Sequence, residues 1–219
     1  MPAISDSLTL PCGVVLPNRL LKSAMTEGLA TPMGQATARH DTLYRRWSEG
    51  GVGTLVSGNV MVDYRYLERP GNIVFDGNGG EAELARLAEA GTEHGNQLWM
   101  QISHPGRQCT RLSNTHPLAP SPVQLKLGGL FGQPQAMTED DIRTAIAGYA
   151  RVAAGAKRAG FTGVQVLAVS EATYNASPFG GADMKMAPRG LVMAEAAAPV
   201  EGGQVGTSVT VNVTYQMTR

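Results

Sequence analysis

Leu98-Trp99-Met100-Gln101-Ile102 is an apolar run broken by one amide and ended by Ser103-His104 and the breaker pair Pro105-Gly106. This pattern predicts a buried strand that opens into a loop at its C-terminal end. The same alternation of elements extends on both sides. Leu8 to Leu16, folded around Pro11-Cys12-Gly13, predicts a small hairpin. Arg19 to Met25 predicts the first long strand, and its end, Thr26-Glu27-Gly28, is polar. Ala38, Leu43 and Trp47 are spaced for a helix over 36–49, stopped by Gly50-Gly51. Val52 to Val62 predicts a second strand, interrupted by Ser57-Gly58-Asn59. A glycine there reads either as a bulge or as close approach of a ligand or another backbone. Leu84, Leu87, Ala88 and Ala90 mark an amphipathic helix over 81–94. Thr138 followed by Glu139-Asp140-Asp141 starts a helix that Gly160 stops, and Phe161 to Val166 predicts the next strand.

The stretch 63–80 predicts a long polar loop, and 110–136 predicts another of the length that in compact domains usually makes a lid or binding loop. Alternating strands and helices imply a parallel sheet in an α/β fold. Ligands in such folds sit at the C-terminal ends of the strands. Gln101 lies near such an end. Its amide offers donors and an acceptor together, which suits the edge of a heterocycle; the alternative is pairing with a neighbouring backbone group.

Composition narrows the class further. The chain has 219 residues, enough for one sizeable core or two small domains. Lys plus Arg and Asp plus Glu balance at 18 each, and no basic patch or like-charge run points to nucleic acid. The high glycine count, 27, and 5% aromatic content suit many tight strand-to-helix turns. Cys12 and Cys109 lie in no metal-ligand spacing, so neither a disulfide framework nor a metal site is expected. The first residues carry no basic or apolar leader, and no stretch is long enough to span a membrane, so the expectation is a cytoplasmic protein.

Several short motifs, in order, carry a resemblance. Pro17-Asn18-Arg19-Leu20 enters the first strand and Lys22-Ser23-Ala24-Met25-Thr26-Glu27 leaves it. Gly53 to Gly58, Gln101-Ile102-Ser103-His104-Pro105-Gly106-Arg107, Met137-Thr138 and Ala159 to Val164 follow. Over residues 7 to about 166 the chain resembles the N-terminal half of the old yellow enzyme family, the FMN-dependent NAD(P)H:flavin oxidoreductases and ene-reductases. The resemblance implies a partial, roughly half, TIM β/α barrel with an N-terminal β-hairpin, FMN as cofactor and NAD(P)H as reductant. It implies that Ala24, Met25 and Thr26 line the flavin, that Thr26 bonds its edge carbonyl, and that Gly58 lets the ring approach the second strand. It implies that Gln101 bonds the pyrimidine edge. His104 and Arg107 belong to a recurring motif of no assigned role. The implied substrate is an electron-poor alkene.

The resemblance stops near the fourth strand. Leu167 and Ser170 stand where the family's carbonyl-binding pair belongs, Ala172 stands in place of its tyrosine, and Tyr174 comes two residues late. Losing one oxyanion-type donor costs about 100- to 1000-fold in rate, so no catalytic residue is assigned. Residues 167–219 read as a linker and a small β-rich tail of different origin. Val205, Val209, Val211, Val213 and Tyr215 alternate with polar residues as in a half-buried strand. The tail resembles the C-terminal end of a SIMPL domain. The expected function is an FMN-dependent oxidoreductase, truncated or recombined after its fourth strand. The alternatives are a non-catalytic flavin-binding or oligomeric scaffold, or a chimeric reading frame with no evolved activity. Open sheet edges in a half-barrel imply self-pairing as a homo-oligomer.

Overall fold

The computed structural model describes residues 2–166. The carbonyl-binding positions, the tail strand, the SIMPL-like segment and the boundary after 166 therefore lie outside the described residues. Strands β1 (Leu8–Thr9) and β2 (Val15–Leu16) pair antiparallel as the expected hairpin. Then come β3 (Leu21–Lys22), α1 (Ala38–Glu49), β4 (Thr54–Met61), β5 (Ile73–Val74), α2 (Glu81–Thr92) and β6 (Gln97–Ser103). The order closes with β7 (Leu118–Ala119), β8 (Gln135–Ala136), α3 (Glu139–Ala159) and β9 (Gly163–Val166). The main sheet runs β3-β4-β6-β9, all parallel, with β5 added beside the end of β4.

Period-two alternation divides the sheet into two faces. Leu98, Met100 and Ile102 of β6 join Tyr44, Leu84, Leu87, Val152 and Ala156 in the core between sheet and helices. The other face carries Val56 and Trp99, which pack with Leu16 of the hairpin and with Leu8, Leu10, Val14 and Ala24. The hairpin thus covers the inner face low on the strands. Polar groups on that face sit higher, toward the C-terminal ends.

Helix α3 forms where its local signals place it. The Thr138 hydroxyl accepts the Asp141 N–H at 3.2 Å, and the Asp141 carboxylate accepts the Thr138 N–H at 2.9 Å. This reciprocal box satisfies two otherwise orphaned donors. Gly160, at φ 95°, ends the helix in the left-handed conformation.

Three expectations change. The first strand keeps ladder pairing only at Leu21 and Lys22, because polar side chains take over the next backbone groups of β4. Lys22 Nζ donates to the Val56 carbonyl at 3.0 Å, and the Gly58 N–H goes to Glu27 Oε1 at 3.0 Å. The stretch 63–80 is not wholly a solvated loop. Ile73, Val74 and Phe75 are buried, and Phe75 reaches α3 at Gly155, where any side chain would strike its ring. The stretch 110–136 contains the small parallel pair β7–β8, anchored by a bridge between Thr110 and Phe131.

Candidate active site at the strand C-termini

The pairing register places three amides in one row across three strands. Asn59 of β4 stands opposite Gln101 of β6, and Gln101 stands opposite Gln165 of β9. In a parallel sheet, residues in register on neighbouring strands present their side chains to the same face. Gln101 is only 9% exposed, and its Nε2 donates to Gln165 Oε1 at 3.2 Å. Its main-chain N–H donates to the Ser57 hydroxyl at 2.9 Å. That contact belongs to the register shift between Val56 and Asn59, so the interruption expected at 57–59 is a β-bulge.

Thr26 closes the row on the β3 side. Its hydroxyl donates to Glu68 Oε2 at 2.7 Å and accepts from Asn59 Nδ2 at 3.4 Å. Asn59 Nδ2 also donates to Glu68 Oε2 at 3.2 Å, while Asn59 Oδ1 is buried with no hydrogen-bond partner. Burial by itself would raise the Glu68 carboxyl, but the Thr26 hydroxyl, Arg69 and Asn59 outweigh it and hold it below the ordinary carboxylate value.

The sequence-expected residues distribute unevenly around this rim. Thr26 and Gln101 share it. Met25 is adjacent and 43% exposed. Ala24 packs lower, against the Val56–Trp99 cluster. Gly58 faces the first strand segment and the helix layer. A Cβ there would strike the Glu27 carboxylate and come within 2.5 Å of the Met25 carbonyl oxygen. Its missing side chain admits Glu27, which hydrogen-bonds the Gly58 N–H and the Tyr44 hydroxyl. Here the bulge coincides with close approach of another chain segment.

Asn59, Gln165 and Glu68 were not singled out from the sequence. Asn59 and Gln165 carry the signal that exposed Gln101, an amide inside an apolar strand. Glu68 carries no local signal.

His104 points away from the amide row. Its Nδ1 accepts the Gly106 N–H at 3.2 Å, and its ring lies 5.0 Å from that of Tyr66. With Asp63, Arg65, Asp141 and Arg151 it lines a cavity of about 40 Å³ beside α3. Burial lowers the His104 pKa to about 4, against a smaller opposing pull from Asp63. The unfolded chain protonates His104 near its ordinary value of 6.5. The contribution of neutral His104 is therefore whole above pH 6.5 and is lost progressively as pH falls toward 4. Urea unfolding at pH 7 and 4.5 should show a larger drop for the native chain than for His104→Gln; equal drops would clear His104 of this role. Arg107 sits partly buried on the one-turn 3-10 helix Gly106–Gln108.

The rim fits a flat heterocycle that carries both N–H and C=O groups on one edge. Two observations make the fit: an orphaned acceptor at Asn59 Oδ1 and a buried amide row beside it. The pyrimidine edge of FMN has those groups. Among the described residues no cluster of three or more His, Cys, Asp or Glu could hold a metal ion. Among the same residues, no helix is long and apolar enough to cross a membrane.

Residues 11–171 match the NADH:flavin oxidoreductase / NADH oxidase family. The chain is 36% identical over 178 residues to the NADH-dependent flavin oxidoreductase iliE of Hypocrea jecorina, a match covering 73% of this chain and 44% of that protein. It is 35% identical over 165 residues to the NADH-dependent flavin oxidoreductase nadA of Aspergillus parasiticus, covering 68% and 37%. The matched region thus spans less than half the length of these curated relatives. Among solved structures, an old yellow enzyme homologue from Zymomonas mobilis superposes with a TM-score of 0.67 at 21% identity, over 75% of this chain and 48% of that one. Morphinone reductase gives 0.65 at 23% identity, over 75% and 47%. That likeness shows the fold, a partial old yellow enzyme α/β barrel. With the hairpin beneath the sheet, the strand order and the family match in agreement, this chain belongs to the NADH:flavin oxidoreductase / NADH oxidase family.

Proposed function

We propose that the chain binds FMN along the rim formed by Thr26, Asn59, Gln101 and Gln165 and acts as an NAD(P)H-dependent oxidoreductase on an electron-poor alkene. The observation that carries this reading is the in-register amide row with its unsatisfied acceptor, in a chain of this family. When bound, FMN supplies the redox chemistry, taking hydride from NAD(P)H and delivering it to the acceptor. The chain's own residues bind and orient. Gln101 supplies donors and an acceptor from a buried position, where an amide hydrogen bond is worth more than in water. Met25 and Thr26 flank the rim on the first-strand side. Ala24, Val56, Trp99 and the hairpin close the inner face beneath it and exclude water from below. No described residue takes the role of proton donor to the substrate. The unpaired outer edges of β3 and β9 among the described residues support self-association through backbone pairing.

The deciding measurement is the visible absorption spectrum of the purified chain, before and after addition of FMN and gel filtration. A flavin band that co-elutes with the protein, with NAD(P)H oxidation in the same fraction, is the expected result. A band without NAD(P)H oxidation would reduce the chain to a flavin-binding scaffold. A colourless protein would end the flavin reading.

A further inference from the structure

Regular pairing of β3 with β4 ends at Lys22, so the segment 23–26, which includes Met25 and Thr26, has no ladder bonds to fix it. Side chains anchor it at each end, and both anchors lead to α1. At the first, the Lys22 ammonium donates to the Val56 carbonyl at 3.0 Å and lies 4.0 Å from the centroid of the Trp47 ring. Burial lowers the Lys22 pKa to about 8, against a smaller opposing pull from Glu27, so the ammonium is still charged at pH 7 and holds its place over the ring. At the second, the Tyr44 hydroxyl donates to Glu27 Oε1. The Gly58 N–H is shared between that carboxylate oxygen, at 3.0 Å, and the Tyr44 oxygen, at 3.2 Å.

The two anchors belong to one rigid unit. Tyr44 and Trp47 are three residues apart on one face of α1, and their rings meet edge to face at 5.0 Å. Helix α1 is itself fixed at both ends. The Thr37 N–H donates to His40 Nδ1 at 3.0 Å, and the buried Ser48 hydroxyl donates to Asn96 Oδ1. On the sheet side, Val56 and Gly58 flank Ser57 in the bulge of β4.

We infer that Tyr44 and Trp47 are positioning residues: from α1 they clamp the two ends of the segment that carries Met25 and Thr26, and so hold it in the arrangement that receives the flavin. The inference rests on the FMN reading above. A segment released at either end samples several arrangements, and FMN binds well to only one. The measured dissociation constant then rises by the inverse of the fraction still in that arrangement. Gln101 has no such dependence, because β6 is paired on both sides by β4 and β9.

The test measures the FMN dissociation constant and the urea midpoint of the same variants. Tyr44→Phe keeps the ring, its contact with Trp47 and the bond from Gly58 to Glu27, and it removes only the hydroxyl. It should weaken FMN binding by about tenfold. Lys22→Met keeps an aliphatic stem over Trp47 and frees the Val56 carbonyl; it should weaken binding in the same direction from the other end. Two backgrounds separate positioning from general support of the fold. Combined with Thr26→Ala, Tyr44→Phe should cost much less than it does alone, because the contact it positions is already gone. Combined with Gln101→Ala, it should cost its full factor. A native dissociation constant in both Tyr44→Phe and Lys22→Met, whatever their urea midpoints, would overturn the inference alone. So would a cost of Tyr44→Phe that is equal in the two backgrounds. Native protein that holds no FMN would overturn the flavin reading and this one together.

Discussion

Gly58→Val should destabilise the chain by about 2–5 kcal/mol, read as a lowered urea midpoint with an unchanged slope. Gly58 lies in the interior of β4, where a side chain would be sterically blocked on one side by Glu27 and the Met25 carbonyl. Overpacking a close contact of this kind costs about 1–3 kcal/mol. Displacing Glu27 adds a second cost, because its carboxylate satisfies the Gly58 N–H and the buried Tyr44 hydroxyl. Tyr44 is 0% exposed, so water cannot replace the lost partner without opening the core between α1 and the sheet. A loss below about 1 kcal/mol would show that Glu27 leaves the strand freely, and the network would then contribute little.

Gln101→Ala should weaken FMN binding by about tenfold to a hundredfold while leaving the fold intact. The side chain gives the rim both donor and acceptor, and its removal leaves ring groups facing an apolar methyl. The structural cost is small. The main-chain bond from Gln101 to the Ser57 hydroxyl, which belongs to the bulge, does not involve the deleted atoms. The lost Gln101–Gln165 contact is a neutral hydrogen bond worth about 1 kcal/mol. Fluorescence quenching of FMN on titration measures the affinity directly. An unchanged dissociation constant with native stability would remove Gln101 from the binding site.

The two substitutions probe different layers of one design. Gly58 lets a glutamate cross from the first strand segment into the helix layer, which ends regular pairing between β3 and β4. The freed segment after Lys22 then carries Thr26 to the rim instead of continuing as a strand. Stability and site geometry are thus joined at β4.

Much of this organisation was legible along the chain because its causes are local. The Thr138–Asp141 box and Gly160 define α3 through contacts three residues apart and through one left-handed turn. Alternation in 98–102 separates Leu98, Met100 and Ile102 from Trp99 and Gln101, and the structure buries them on opposite faces. Gln101 stood out because a buried amide must find partners, a requirement independent of the neighbouring strands. The family followed from short motifs whose order and spacing are read without any geometry.

Tertiary structure alone decided the rest, because the remaining contacts join residues far apart in sequence. Asn59, Gln101 and Gln165 form a row only once the parallel register aligns three strands. Glu68 meets Thr26 across 42 residues, from a loop whose composition signals nothing but solvent exposure. Phe75 is buried because Gly155 leaves a gap on α3, and neither half of that fit predicts the other. Hydrophobic periodicity determines which face of an element is buried. Which polar groups then face one another, and in which donor–acceptor sense, depends on register and bulges that a linear pattern does not encode.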